Sequence, residues 1–271
     1  MARGAKLPEK GTANARKVVR RAGEVFYRVH SRRRRAHHFN PEPQDHHFGG
    51  GRFDSTPNDS YAYLYAAPKP ETAIIERFVR TLRFDGQGNS RVLPRKELDG
   101  RLLSQVRLTR DVELVSLCSI VHLNAVLQSD WWLVESDPTE YAFTRRWGHW
   151  LRGEADWADG FVWRSRLDGP NESLVLFGPA AENDLLTETD EPPRILDDAD
   201  GLHWLAETLE DYRVEIGTAD PRRASAPDTA RPHPAPARPS RALSGREPVA
   251  FRISPGIGKR GSGVPGVRAY F

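Results

Sequence analysis

Six short apolar runs, VFYRVHS, YAYLYAA, VELVSLC, GFVWRS, SLVLFG and YRVEIG, fall between residues 25 and 217, each rich in β-branched or aromatic residues. Bounded by Gly, Pro, Asp or Asn, runs of this length read as strands, and helix-like segments come between several of them. The alternation is not the strict βαβ repeat of a doubly wound parallel sheet. It predicts an α+β domain: mixed central β-sheets with flanking helices.

The clearest helical segment is PETAIIERFVRTLR, residues 70–83. Pro70 suits a first helical position, Glu71 meets the positive end of the helix dipole, and Ile74, Ile75, Phe78, Val79 and Leu82 recur at helical spacing. Glu76 falls off that apolar stripe, four residues before Arg80, the order that favours an exposed helical salt bridge. Two further helices are predicted at TEYAFTRRWGHWLRG, with Phe143, Trp147, Trp150 and Leu151 facing inward, and at ADGLHWLAETLED, with Leu202, Leu205 and Leu209 inward.

Composition confines the fold to the middle of the chain. Residues 1–22 are basic, Gly/Ala-rich and poor in aromatics, so they predict a disordered arm; too little apolar surface offsets the roughly 1–2 kcal/mol per residue that ordering the backbone costs. Residues 218–271 open on TADPRRASAPDTARPHPAPARPSRALSGREP, a Pro/Ala/Arg-rich composition that predicts a disordered tail. One domain over residues 23–217 remains.

The 271 residues carry a net charge of +3, too little to imply a nucleic-acid binder, although ARKVVRR and RRRR could contact polyanions weakly. The single cysteine, Cys118, cannot form an internal disulfide and lies in an apolar run, which points to a reducing compartment. No window approaches the roughly eighteen continuous apolar residues of a membrane span, and the first residues lack a secretory apolar core. The expectation is a soluble, cytoplasmic protein with no membrane contact.

Several motifs invite chemistry. AHHFNPEPQDHHF gathers His37, His38, Asp45, His46 and His47, but the spacing lacks the helical register of a metal motif, and no metal is expected. Arg32–Arg35 could grip phosphate, since guanidinium matches a phosphate bidentately, yet no zinc-finger, RNP or helix-turn-helix pattern accompanies the run. GGGR, residues 49–52, has neither the lysine and hydroxyl of a P-loop nor GxGxxG spacing, but its glycines would let a ligand approach Arg52 closely. Ser165, in DGFVWRSR, has no GxSxG elbow and is not a hydrolase nucleophile.

Taken in order, FYRV, GGGRF, a tyrosine-bearing strand followed directly by PETAIIE, and then DGFVWRSR running into ESLVLF resemble the RES domain family over most of residues 24–180. On that resemblance the family arginine falls on Arg52, its tyrosine on Tyr65, its glutamate on Glu76, its serine on Ser165, and an additional first-strand arginine on Arg28. The chain departs from the family in a long loop before Arg52, in Asp54 where asparagine is usual, and in an insertion-like segment between about Asp85 and Val112.

The resemblance implies an ADP-ribosyltransferase-like fold and an enzyme, a toxin of a toxin-antitoxin system, that destroys NAD at the nicotinamide-ribose bond. Water or inorganic phosphate would be the acceptor, no cofactor would be needed beyond NAD as substrate, and a helix-turn-helix antitoxin would be the protein partner. Arg52 and Arg28 would then hold the pyrophosphate, Tyr65 would stack on the nicotinamide or ribose, Glu76 would stabilise the oxocarbenium-like state, and Ser165 would hydrogen-bond nearby. Two rival readings are an ADP-ribosyltransferase acting on a macromolecule and a non-catalytic basic module that binds nucleic acid or protein.

Overall fold

The computed structural model describes residues 6–44, 49–84, 89–178 and 184–217. Five strands form one sheet in the spatial order β1 (Lys17–Arg20), β6 (Val112–Ser116), β7 (Gly160–Arg164), β8 (Glu172–Gly178), β3 (Ala62–Ala66). The β6–β7 pair is parallel and the others are antiparallel. A second sheet is built on β5 (Arg101–Leu108), with β2 (Val25–Ser31) on one edge and β10 (Arg194–Ile195) and β9 (Leu186–Glu188) in turn along the other. β4 (Arg91–Leu93) and β11 (Val214–Ile216) make a small parallel ribbon. This is the α+β class that the run pattern predicts.

Two sequence expectations are corrected here. Residues 17–20 are not part of a mobile arm: β1 is an edge strand, running from Lys17 opposite Val115 to Arg20 opposite Val112. Upstream, the Gly11 N–H donates to the Glu154 carboxylate at 2.8 and 2.9 Å. Pairing at a sheet edge uses backbone groups that every residue carries, so composition does not reveal it. Residues 1–5 and 218–271 lie outside the described residues. The supposed insertion between Asp85 and Val112 likewise contains β5, the strand on which the whole second sheet is assembled.

The helix predicted over 70–83 is shorter and changes character. α1 (Pro70–Ile74) passes into a wider π turn, Ile75–Val79, closed by a hydrogen bond from the Arg80 N–H to the Ile75 carbonyl at 3.1 Å. α2 (Ile120–Ala125) and α3 (Trp132–Glu135) are short, and α4 (Tyr141–Glu154) and α5 (Ala199–Leu209) match the other predicted helices. The inner face of α4 is rotated from expectation. Tyr141, Thr144, Arg145, Trp147, Gly148 and Leu151 are buried, while Phe143 and Trp150 pack at the margin.

Three apolar clusters hold the layers together. One packs α2, α3 and α4 on a face of the five-stranded sheet through residues such as Leu123, Leu133, Trp147 and Phe161. A second fills the space between the two sheets with Phe26, Leu64, Val106, Leu114 and Leu176, and the third seats α1, the π turn and α5 on the outer face of the second sheet. Fully burying a side chain of this size contributes about 1.5–3 kcal/mol. Polar groups that occupy the inter-sheet space therefore stand out.

Candidate functional site

Strand alternation places the first of those polar groups. Along β2 every second residue is buried, so Phe26, Arg28 and His30 share the face that turns toward the first sheet. Tyr27 and Ala67 exchange backbone hydrogen bonds of 2.7 and 2.9 Å, tying β2 to the chain just after β3. Past that tie the strands diverge around a cavity of about 540 Å³, within the range of small-molecule sites. Its walls include Arg28 and His30 of β2, Tyr63 and Tyr65 of β3, Glu76 and Arg80 of the helical segment, and Trp163 of β7.

Arg28 is buried and fixed: Nη1 donates to the carbonyls of Ala36 and His38, each at 2.7 Å, while Nε has no partner. Burial, assisted by Arg34, pushes its pKa down to about 9, leaving it charged at neutral pH. His30 lies between the Ser31 carbonyl, 3.0 Å from Nδ1, and the Ser104 hydroxyl, 2.8 Å from Nε2. A carbonyl can only accept, so Nδ1 carries the proton and Nε2 accepts from Ser104. Burial first, and then the charge of Arg28, lower the His30 pKa to about 4.

Glu76 sits at the start of the π turn, where the wider winding redirects a side chain that a continuous α-helix would aim elsewhere; such turns are frequent at functional sites. Its carboxylate is held on two sides. The Ser165 hydroxyl donates to Oε1 at 2.7 Å, and Arg52 Nη1 lies 3.8 Å from Oε2. Arg52 has 2% of its side chain exposed against 13% for Glu76, so this is a nearly dry ion pair. Arg52 also donates from Nη2 to the Ser136 carbonyl at 3.2 Å and lies 5.5 Å from the Tyr141 ring centroid, with Arg80 5.3 Å from the same ring. Arg52 Nε and Nη1, Glu76 Oε2 and the Ser136 hydroxyl are all buried without a hydrogen-bond partner. Such a concentration of unmet polar atoms is costly in a fold with no other use for it.

The GGGR loop accommodates the protein's own groups. A Cβ on Gly51 would fall 2.6 Å from the Tyr65 hydroxyl and 2.7 Å from Asp54 Oδ1, so this position admits only glycine without movement. The Tyr65 hydroxyl donates to Asp54 Oδ1 at 2.8 Å and accepts from the Phe53 N–H at 3.0 Å, while Asp54 Oδ2 accepts from the Gly51 N–H at 2.7 Å. Burial, then Asp54, raises the Tyr65 pKa well above 10, so the tyrosine offers the cavity its ring and not a mobile proton. The loop carbonyls are taken by arginines: Arg145 Nε donates to Gly51 at 3.1 Å and Arg80 Nη2 to Gly50 at 3.3 Å.

Of the sequence candidates, Arg28, Tyr65 and Glu76 line the cavity. Arg52 and Ser165 do not; they stand behind Glu76 and grip it. Sequence reasoning noted Asp54 only as a departure from the family pattern and missed Ser136, Tyr141, Thr144 and Arg145, which complete this support. The available signal was the 3–4 spacing of Tyr141, Thr144, Arg145 and Gly148 on one face of α4, obscured by the larger tryptophans beside it.

The two charged motifs resolve differently. In the arginine run, Arg32 pairs with Asp197 at 2.6 Å and Arg34 with Glu42 at 2.5 Å, so it is not one uniform basic patch. His46 and His47 lie outside the described residues together with Asp45, and His37 approaches Glu188 at 3.2 Å. Among the described residues no group of three or more His, Cys, Asp or Glu side chains is placed to hold a metal, and no helix is long and apolar enough to cross a membrane.

Fold and site together define an α+β domain with an arginine-walled cavity whose wall carries a glutamate clamped by a serine and a buried arginine. The RES domain family matches residues 25–194, and the chain belongs to that family. Among solved structures, a chain of the crystal structure of the M. tuberculosis MbcT–MbcA toxin–antitoxin complex is similar at 14% identity, covering 65% of this chain and 86% of that one with a TM-score of 0.45. No curated protein matches the sequence.

Proposed function

We propose that this protein is an NAD-degrading enzyme that breaks the nicotinamide–ribose bond, acting as the toxin of a toxin–antitoxin pair. Membership of the RES family supports the reading, and one observation carries it: Glu76 faces an arginine-lined cavity with its carboxylate fixed by Ser165 and Arg52. Heterolysis sends the bonding electron pair to the pyridine nitrogen, so nicotinamide leaves neutral and the ribose becomes oxocarbenium-like. A carboxylate already held in place meets that developing charge without reorganising, the largest kind of electrostatic contribution available to a site. Water then adds at the ribose carbon and releases a proton to solvent, or orthophosphate adds through an oxygen that carries no proton. The site needs no metal and no cofactor beyond NAD itself.

Within this reading Arg28 and Arg80 reach a pyrophosphate from the cavity wall, and the Tyr65 ring stacks on the nicotinamide or ribose. Arg52 and Ser165 are positioning residues, because both act on Glu76. The antitoxin would be a helix-turn-helix protein that silences the cavity.

The test is depletion of NAD by the purified chain with release of free nicotinamide. Glu76→Gln should lower the rate by at least 10²-fold without changing the far-UV spectrum; undiminished turnover in that variant would falsify the assignment. NAD labelled in its ADP-ribose moiety separates cleavage from transfer, since a transferase leaves label on macromolecules.

A further inference from the structure

The cavity wall carries six arginines, and the fold provides hydrogen-bond or ion-pair partners for half of them. Arg28 donates to two loop carbonyls, Arg34 pairs with Glu42 and Arg80 donates to the Gly50 carbonyl. The side chains of Arg33, Arg77 and Arg101 make no hydrogen bond or ion pair among the described residues. The lining includes two carboxylates, Glu42 and Glu76, and both are already engaged.

Strand register brings Arg33 and Arg101 to one end of the cavity. Arg101 opens β5 directly opposite Ser31, the last residue of β2, and Arg33 follows two residues later in the turn. Arg77 lines the same cavity from the π turn. Burial, with Arg101 and Arg80 adding to it against the pull of Glu97, pushes the Arg77 pKa down to about 10, so the Arg77 and Arg101 guanidiniums lie within each other's field. Cations held together at a cavity wall repel one another unless an anion lies between them, and guanidinium forks match phosphate oxygens in pairs.

We infer that Arg33, Arg77 and Arg101 form a second anion subsite, which takes a phosphate dianion additional to the pyrophosphate of the dinucleotide. The inference rests on the NAD-cleaving reading above for its substrate context. Two sources supply such a dianion: the 2′-phosphomonoester of NADP, or free orthophosphate.

Kinetics with NAD and NADP, each with and without orthophosphate, distinguish them in wild type, in the double variant Arg77→Gln/Arg101→Gln, and in Arg35→Gln, an exposed arginine outside the cavity lining. If the subsite holds the 2′-phosphate, the ratio of kcat/KM for NADP over NAD falls about ten- to a hundredfold in the double variant and not in Arg35→Gln. If it holds orthophosphate, the phosphate concentration needed for half-maximal stimulation of NAD loss rises by a similar factor. Identical selectivity and identical phosphate response in wild type and the double variant overturn the inference. Thermal unfolding with orthophosphate supplies a readout independent of turnover. Should neither dinucleotide be consumed, the NAD-cleaving reading fails, while a phosphate-induced rise in Tm, present in wild type and lost in the double variant, still supports the subsite. Absence of that rise in wild type then removes it.

Discussion

Glu76, taken by itself, is an ordinary residue of an amphipathic helix; what sets it apart is the pair of groups that fix its carboxylate. Ser165 contributes a 2.7 Å hydrogen bond and Arg52 a charge in a nearly dry setting, so the three should behave as a unit. Ser165→Ala is expected to slow NAD loss about tenfold alone and to add nothing in a Glu76→Gln background. A double-mutant cycle measures this, and independent effects would separate the serine from the glutamate. Arg52→Ala should cost stability as well as activity, on the order of 3–5 kcal/mol by urea unfolding, because it leaves a mostly buried carboxylate unpaired. The family resemblance singled out the glutamate, the serine and the arginine as candidates, but not their arrangement. Arg52 looked like a phosphate ligand beside flexible glycines, and only its burial behind Glu76 shows that it addresses the carboxylate.

Elements position these residues through local irregularities. The π turn over Ile75–Val79 was invisible to a periodicity argument, because underwinding confined to a single turn shifts the apolar stripe by no more than about its own width. The glycine loop is rigid for a reason that makes a clean test. Gly51→Ala would drive a Cβ into the Tyr65 hydroxyl and Asp54, with an expected loss of about 1–3 kcal/mol. Gly153→Ala, in α4 with open space around the added carbon, should instead be neutral or gain up to about 1 kcal/mol from helix propensity. Thermal unfolding of the two variants decides whether glycine at position 51 answers to packing. A Gly51→Ala protein as stable as wild type would count against the interlock among Gly51, Asp54 and Tyr65.

Across the whole molecule, polar residues buried between the sheets make stability depend on pH. His30 titrates near 4 in the fold and near 6.5 when unfolded. Between those values the unfolded chain takes up the proton first, so this contribution is complete above about pH 6.5 and is lost as the pH falls toward 4. The loss is on the order of 2–3 kcal/mol, and His30→Gln should flatten that part of the acid limb in denaturant titrations at pH 7.5 and 4.5. An unchanged acid limb would mean that His30 is accessible to protons in the fold. The same scale separates what was legible from what was not. Local patterning determined the α+β class and the positions of β2, β3, β6, β7, β8 and β11, because strand period and turn residues are written in neighbouring positions, while the candidacy of Arg28, Arg52, Tyr65, Glu76 and Ser165 came from the family resemblance carried by motif order. Tertiary structure alone decided that β1 pairs at a sheet edge, that β5 anchors the second sheet, that α4 turns Arg145 inward to the glycine loop, and that Ser165 meets Glu76 from 89 residues away. Those outcomes depend on backbone hydrogen bonds and on contacts between distant segments, and neither leaves a period in the chain.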